Sequence, residues 1–128
     1  EWRIIRIGEY YFGYEKLKDG QFHSGSQNFG YGIPPKKCLN LVKKITDVHN
    51  FKYVDIDVFI TKEGSFLVNE IQPYFGQKDD RELLQIEEES GRLTYNENTK
   101  NWDFEKGDFC KNNLCNLRIL EMIKTLDK

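Results

Sequence analysis

Three acidic side chains and a glutamine lie within two short apolar runs that are separated by a turn. They are Asp55, Asp57, Glu70 and Gln72, in the stretch "DIDVFITKEGSFLVNEIQ". The alternation of the apolar residues predicts a pair of β-strands. Carboxylate and amide oxygens are ligands of Mg²⁺ in proteins. These side chains are therefore candidate metal ligands if the strands bring them together.

The two strands, at about 53–61 and 65–72, are expected to form a hairpin whose register decides which side chains meet. With Glu63 and Gly64 as the central turn residues, counting outward predicts three pairs: Ile60 with Leu67, Asp57 with Glu70, and Asp55 with Gln72. Four residues of the second strand are predicted to share one face: Phe66, Val68, Glu70 and Gln72. The register therefore sets two carboxylates opposite each other.

Two opposed ionised carboxylates repel, so the pair costs stability unless a proton, a basic side chain or a divalent cation neutralises it. In one interpretation Mg²⁺ is held by Asp57, Glu70 and the amide oxygen of Gln72. In the other, both acids lie on an exposed sheet face, with Arg3 or Lys16 as ion-pair partners. Spacing alone leaves both interpretations open.

Length and composition place the chain in a broad class. Its 128 residues are the size of one domain, and a net charge of -2 argues against a nucleic-acid or anionic-membrane surface. No apolar run is long enough to span a bilayer. Three cysteines in no recognisable framework indicate reduced thiols in a cytoplasmic protein. Because the chain opens inside a strand pattern, we expect it to be a fragment of a larger protein.

The remaining elements predict an α+β fold, an antiparallel sheet with helices packed on one face. The predicted segments are a hairpin at 2–7 and 10–17, a glycine-rich loop at 18–35, a helix beginning near Pro35, a more exposed hairpin formed by "GRLTY" and "NWDFEKGDF", and a helix from Asn113 onward. The pattern of "RELLQIEEE" fits a short helix or a strand.

The order of these motifs resembles the C-terminal part of the ATP-grasp superfamily, which includes many carboxylate–amine ligases. The resemblance is carried by "EWRIIRIGEYYFGYEKLKDGQF", the helix, and "VDIDVFITKEGSFLVNEIQPYFG". It implies that residues 1–128 are one domain, with a core subdomain at 1–76 and an extra hairpin and C-terminal helix at 77–128. This second part is similar to ATP-grasp proteins associated with bacterial polysaccharide gene clusters.

The resemblance also implies roles for single residues. Arg3 and Lys16 match basic positions that contact ATP phosphates, and Asp57 and Glu70 match the acidic ligands of Mg²⁺ or Mn²⁺. Gln72 stands where most of the superfamily has Asn as a further ligand. Asp55 has no counterpart and is expected to be a solvated or turn-proximal acid. In the loop expected to face the acceptor substrate, the Arg-Ser-Asn of glutamate ligases is replaced by His23, Ser24 and Gly25.

The function implied is Mg-ATP binding and ATP-dependent carboxylate–amine ligation through an acyl phosphate, with ATP and a small carboxylate or amine substrate as partners and neither nucleic acid nor membrane. Adenine-binding lysines and a glycine-rich phosphate loop belong to an N-terminal subdomain that these residues do not supply. We therefore expect no catalysis by this chain alone. Two alternatives are a degenerate ATP-grasp-like interaction module and a structural domain that binds a cation without nucleotide.

Overall fold

The computed structural model describes residues 1–17, 29–73, 75, 85–86, 89–112 and 114–127. These residues form eight strands and two helices. The strands are β1 (Trp2–Ile7), β2 (Tyr10–Lys16), β3 (Phe29–Gly30), β4 (Tyr53–Ile60), β5 (Phe66–Gln72), β6 (Gln85–Ile86), β7 (Glu89–Asn96) and β8 (Asn101–Lys106). The helices are α1 (Lys36–Val48) and α2 (Cys115–Leu126).

The described strands form one antiparallel sheet in the order β5-β4-β1-β2-β7-β6, and the predicted α+β class is confirmed. β3 pairs with the end of β2, and β8 pairs with β7. The predicted hairpins β1–β2 and β7–β8 are both present. β1 lies between β2 and β4, and its largely apolar sequence suits a strand that is covered on both faces.

The two helices pack on opposite faces of the sheet. Ile4 and Ile5 are neighbours in β1, so they point to opposite faces. Ile4 belongs to a core that includes Leu39 of α1, whereas Ile5 packs in a second core with Phe12 and Leu117 of α2. The prediction that the helices share one face is therefore wrong. The central strands carry apolar side chains on both faces, and burial of both favours one helix on each.

α1 follows the predicted helical spacing and buries one side against the sheet. Leu39 and Val42 are fully buried, and Thr46 continues the same side one turn later. The Thr46 hydroxyl accepts a hydrogen bond of 2.6 Å from Nη1 of the buried Arg6 and donates one to the Val42 carbonyl. The Asp47 carboxylate accepts a second hydrogen bond of 2.6 Å from the same Arg6 nitrogen, so Thr46 and Asp47 together satisfy a cation that β1 places inside the α1 core.

α2 leaves most of its apolar residues exposed. It packs through Leu117, and the preceding Leu114 is fully buried. Five further apolar side chains of this helix are at least two-fifths exposed: Ile119, Leu120, Met122, Ile123 and Leu126. The helix predicted from residue 113 is thus present over the described residues, but its contact with the sheet is narrow.

The β4–β5 hairpin differs from its predicted register at the turn and regains it along the strands. Thr61 N–H donates to the Ser65 carbonyl across a three-residue loop in which Gly64 has φ +83°, a conformation that glycine adopts at little cost. One residue more than expected in the loop pairs Ile60 with Phe66, so the predicted Ile60–Leu67 pair is wrong.

A β-bulge then shifts the pairing back by one residue. Val58 pairs with Val68 but Asp57 pairs with Glu70, which leaves Asn69 as the extra residue of β5. Asp57–Glu70 and Asp55–Gln72 are therefore confirmed as pairs because the longer loop and the bulge cancel. The prediction that Phe66, Val68, Glu70 and Gln72 share a face is wrong. The bulge puts the first two on the α1 face, beside Val58 and Ile60, and the last two on the other face.

Two predicted segments lie largely outside the described residues. Most of the glycine-rich loop, with His23, Ser24 and Gly25, is among them, and its described end forms β3. Most of "RELLQIEEE" is outside as well, and its described residues belong to β6 and to the first residue of β7.

Candidate functional site

Strands β1, β2, β4 and β5 bring the predicted site residues to one face of the sheet, beside the α2 core. Arg3 pairs with Tyr14 in β2 and with Asp57 in β4, and Asp57 pairs with Glu70 in β5. We call the resulting group the acid–base cluster. It comprises Glu1, Arg3, Lys16, Asp55, Asp57, Glu70 and Gln72. All five residues predicted to form the site belong to it.

Asp57 is the centre of the acid–base cluster. Its carboxylate accepts hydrogen bonds from Arg3 Nε at 2.9 Å, Arg3 Nη2 at 3.0 Å and Lys16 Nζ at 2.8 Å, and the side chain is 3% exposed. Burial by itself raises the pKa of Asp57, but the hydrogen bonds from Arg3 and Lys16 outweigh burial and lower this pKa below its ordinary value. Asp57 is therefore ionised and paired.

Asp55 is buried in the middle of β4, so the expectation of a solvated or turn-proximal acid is wrong. Its side chain is 1% exposed, and its Oδ2 lies 3.0 Å from Arg3 Nε. That distance makes an ion pair, but the alignment is poor, and neither Asp55 oxygen accepts a hydrogen bond in the described part of the chain. Burial raises the pKa of Asp55 to about 7, against the lowering effect of the Arg3 charge.

Glu70 and Gln72 lie at the exposed edge of the acid–base cluster. Gln72 Nε2 donates a hydrogen bond of 2.5 Å to Glu70 Oε1. Glu70 thus shares a face with Asp57, as predicted, but keeps access to solvent. The amide nitrogen of Gln72, not its oxygen, is directed at Glu70, so a metal-ligand role for Gln72 requires rotation of the amide.

The acid–base cluster holds more negative than positive side chains. Lys16 Nζ contacts Glu1 Oε1 at 3.3 Å as well as Asp57. Three carboxylates, those of Glu1, Asp55 and Asp57, contact the two cations, Arg3 and Lys16, and a fourth, that of Glu70, belongs to the residue that pairs with Asp57 across the strands. When all four are ionised, the excess is two negative charges. A proton on Asp55 removes one of them, and a divalent cation would remove both.

The donor set suits a hard cation that keeps part of its water shell. Mg²⁺ is usually bound through one or two carboxylates, with phosphate and water completing six oxygen ligands. Asp57 supplies a buried carboxylate and Glu70, which pairs with it, supplies one that is exposed to solvent. Over the residues whose placement is described, no three His, Cys, Asp or Glu side chains form a ready-made metal site. Any cation must therefore compete with Arg3 and Lys16 for Asp57.

Sequence reasoning missed the burial of Asp55 and the part played by Glu1. A signal for Asp55 was present, because it lies two residues from Asp57 on the same face of β4 and pairs with the apolar Ile5 of β1. No comparable signal existed for Glu1, which precedes β1 and meets Lys16 because the Glu1 carbonyl accepts a hydrogen bond from Lys16 N–H.

Comparison with known proteins adds no relative. No family model, no curated protein and no solved structure matches this chain. Within the described residues, no disulfide joins Cys38, Cys110 and Cys115. Neither α1 nor α2 has the length and apolar character needed to cross a membrane. The functional argument therefore rests on the acid–base cluster and on the resemblance of the sequence motifs.

Proposed function

We propose that this chain is the metal-binding half of an ATP-dependent ligase site, the C-terminal subdomain of an ATP-grasp enzyme. In this proposal Asp57 and Glu70, with Gln72 after rotation of its amide, hold Mg²⁺ or Mn²⁺ together with ATP phosphates. The observation that carries the proposal is the pair of opposed carboxylates within a cluster that has an excess of two negative charges. A divalent cation matches that excess.

Arg3 and Lys16 take the role of phosphate-binding cations in the proposal. Both lie beside Asp57, and both keep part of the side chain exposed, 20% for Arg3 and 12% for Lys16. The reaction proposed is activation of a small carboxylate by ATP, through an acyl phosphate that an amine then attacks. The contribution of this chain is to position phosphates and neutralise their charge, which is the main task of a protein in phosphoryl transfer.

The proposal requires a partner. An N-terminal ATP-grasp subdomain would supply the adenine-binding lysines and the glycine-rich loop, and we expect no turnover without it. The compartment proposed is the cytoplasm, in keeping with three cysteines that form no disulfide within the described residues.

A degenerate module that has lost catalysis is the second candidate. It is favoured by one observation: Asp57 already accepts three hydrogen bonds from Arg3 and Lys16, so the charge of this carboxylate is satisfied without a cation. Such a module would keep the sheet and the acid–base cluster for structural reasons, and its stability would not respond to Mn²⁺.

Thermal unfolding with Mg²⁺ or Mn²⁺ tests the proposal. Binding stabilises the folded state by about 2.7 kcal/mol at a cation concentration one hundred times the Kd. We expect the shift in Tm to be reduced in Glu70→Gln and lost in Asp57→Asn with Glu70→Gln, each measured against its own metal-free Tm. Glu63→Gln, at the exposed turn of the same hairpin, is the matched control. No shift in the unmodified chain, or an equal shift in all variants, would refute the metal site.

The ATP part of the proposal has a separate test. We expect the chain combined with the N-terminal subdomain of the parent protein to bind Mn-ATP more tightly than Mn²⁺ alone, and Arg3→Met to weaken the Mn-ATP complex. A cation response that ATP leaves unchanged in the combined protein would indicate a structural cation site instead.

A further inference from the structure

Arg3 and Lys16 occupy the carboxylate that the proposed cation needs. Asp57 accepts two hydrogen bonds from Arg3 and one from Lys16. A cation on Asp57 must displace them at least in part, and a largely buried cationic side chain left without a partner would cost several kcal/mol. When Asp57 binds a cation, other groups must therefore accept the hydrogen bonds of Arg3 and Lys16.

Each of the two basic side chains already lies beside a second carboxylate. Lys16 Nζ is 2.8 Å from Asp57 Oδ2 and 3.3 Å from Glu1 Oε1. Arg3 Nε is 2.9 Å from Asp57 Oδ1 and 3.0 Å from Asp55 Oδ2. Either cation can thus leave Asp57 and keep an ion pair after a small movement.

Asp55 can accept more hydrogen bonds than it accepts at present. Its side chain is 1% exposed, and neither of its oxygens accepts a hydrogen bond within the described residues. A buried carboxylate normally has its oxygens satisfied, because an unmet acceptor costs free energy. Arg3 Nε lies 3.0 Å from Asp55 Oδ2, within hydrogen-bonding distance, but its N–H is aligned with Asp57. A rotation of the guanidinium toward Asp55 would satisfy the orphaned oxygens.

We infer that Asp55 is a second acceptor for Arg3, which takes over the guanidinium when the negative charge of Asp57 is removed or is neutralised by a bound cation. Asp55 is then a positioning residue and not a metal ligand. It keeps Arg3 paired and close to the bound phosphates while freeing Asp57. The claim that a cation neutralises Asp57 rests on the proposed function, whereas the transfer of Arg3 to Asp55 does not.

A metal-free experiment at pH 8 tests the transfer, with Asp57→Asn mimicking the neutralised carboxylate. Asp55→Asn is made in the unmodified chain and in Asp57→Asn, and the urea midpoint is measured for all four proteins. In the unmodified chain we expect Asp55→Asn to raise the midpoint, because it removes a poorly satisfied charge. In Asp57→Asn we expect it to lower the midpoint, because Arg3 then loses its remaining carboxylate. A change of the same sign in both backgrounds overturns the inference.

The Arg3 side chain gives a readout that a purely structural role of Asp55 would not move, and it does not depend on the double variant folding. In Asp57→Asn we expect the Arg3 Nε–H signal in a ¹⁵N NMR spectrum to remain protected from exchange with solvent, as in the unmodified chain. Exchange in Asp57→Asn at the rate of free arginine overturns the inference. Where the double variant folds, protection retained there overturns it as well.

Mn²⁺ binding separates this inference from the proposed function. Residues that orient metal ligands typically change affinity by about 10–100-fold when removed, so we expect Asp55→Asn to weaken Mn²⁺ binding about tenfold. If the unmodified chain binds no Mn²⁺, the proposed function is refuted, and the metal-free comparison still decides the role of Asp55. If the unmodified chain binds Mn²⁺ and Asp55→Asn binds it with the same affinity, the proposed function is retained and the inference is overturned.

Discussion

The buried Asp55 carboxylate predicts how the stability of this protein changes with pH. Burial raises the pKa of Asp55 to about 7 in the folded state, from an ordinary value of 3.8. Between these two values the folded protein keeps a proton that the unfolded chain has lost. The contribution of Asp55 to stability is therefore fully present below pH 3.8 and is lost as the pH rises through 7.

The size of the effect follows from the difference between the two pKa values. One pKa unit corresponds to about 1.4 kcal/mol, so a difference of about three units lowers the stability of the unmodified chain by about 4 kcal/mol at pH 8. Asn cannot ionise, so Asp55→Asn removes this loss. We expect the free energy of unfolding of Asp55→Asn, relative to the unmodified chain, to increase by about 3 kcal/mol between pH 5 and pH 8.

Urea unfolding at pH 5, 6, 7 and 8, followed by circular dichroism, measures this difference. Glu63→Gln is the control, because it removes a carboxylate from the exposed turn of the same hairpin, and its stability is expected to follow that of the unmodified chain. If the curves for Asp55→Asn and the unmodified chain ran parallel from pH 5 to pH 8, then Asp55 would not hold a proton in the folded state. The charge excess assigned to the acid–base cluster would then need another explanation.

Four further substitutions test the packing and the backbone geometry of the fold. Thr46→Val is expected to cost about 1–3 kcal/mol in urea unfolding, because the buried Arg6 loses one of its hydrogen-bond acceptors. An unchanged stability would mean that Asp47 and the Gly8 carbonyl satisfy Arg6 without the hydroxyl. Leu117→Ala should lower the free energy of unfolding by about 2–4 kcal/mol, because Leu117 is buried against the sheet. Ile123→Ala, on the exposed side of α2, should change it by less than about 0.5 kcal/mol. Equal losses of stability in thermal unfolding would contradict this placement of the helix. Gly64→Ala should lower the free energy of unfolding by about 1–2 kcal/mol through backbone strain at its positive φ. The added methyl group meets no atom within 4 Å beyond the adjoining residues, so a steric clash does not contribute. An unchanged stability would argue against the positive φ.

Local patterns predicted most elements because each pattern is set by residues close in sequence. Alternation in "WRIIRI" and "YYFGYEK" predicted β1 and β2, and the spacing of Leu39 and Val42 predicted α1. The hairpin register was harder. A three-residue loop and a bulge at Asn69 each move the pairing by one residue, and no local pattern in β5 indicates either of them. The Asp57–Glu70 pair was predicted correctly because the two shifts cancel.

The sequence by itself determined most of the secondary structure of the sheet and helices and the choice of residues able to form a charged site, since side-chain chemistry and short-range periodicity are properties of neighbouring residues. Tertiary structure decided that the helices lie on opposite faces, because the central strands are apolar on both. It also decided the protonation of the acids. Asp55 and Asp57 are two residues apart on one strand, yet only Asp57 is aligned with the hydrogen-bond donors of Arg3 and Lys16. Those donors come from strands that only the folded sheet brings beside it.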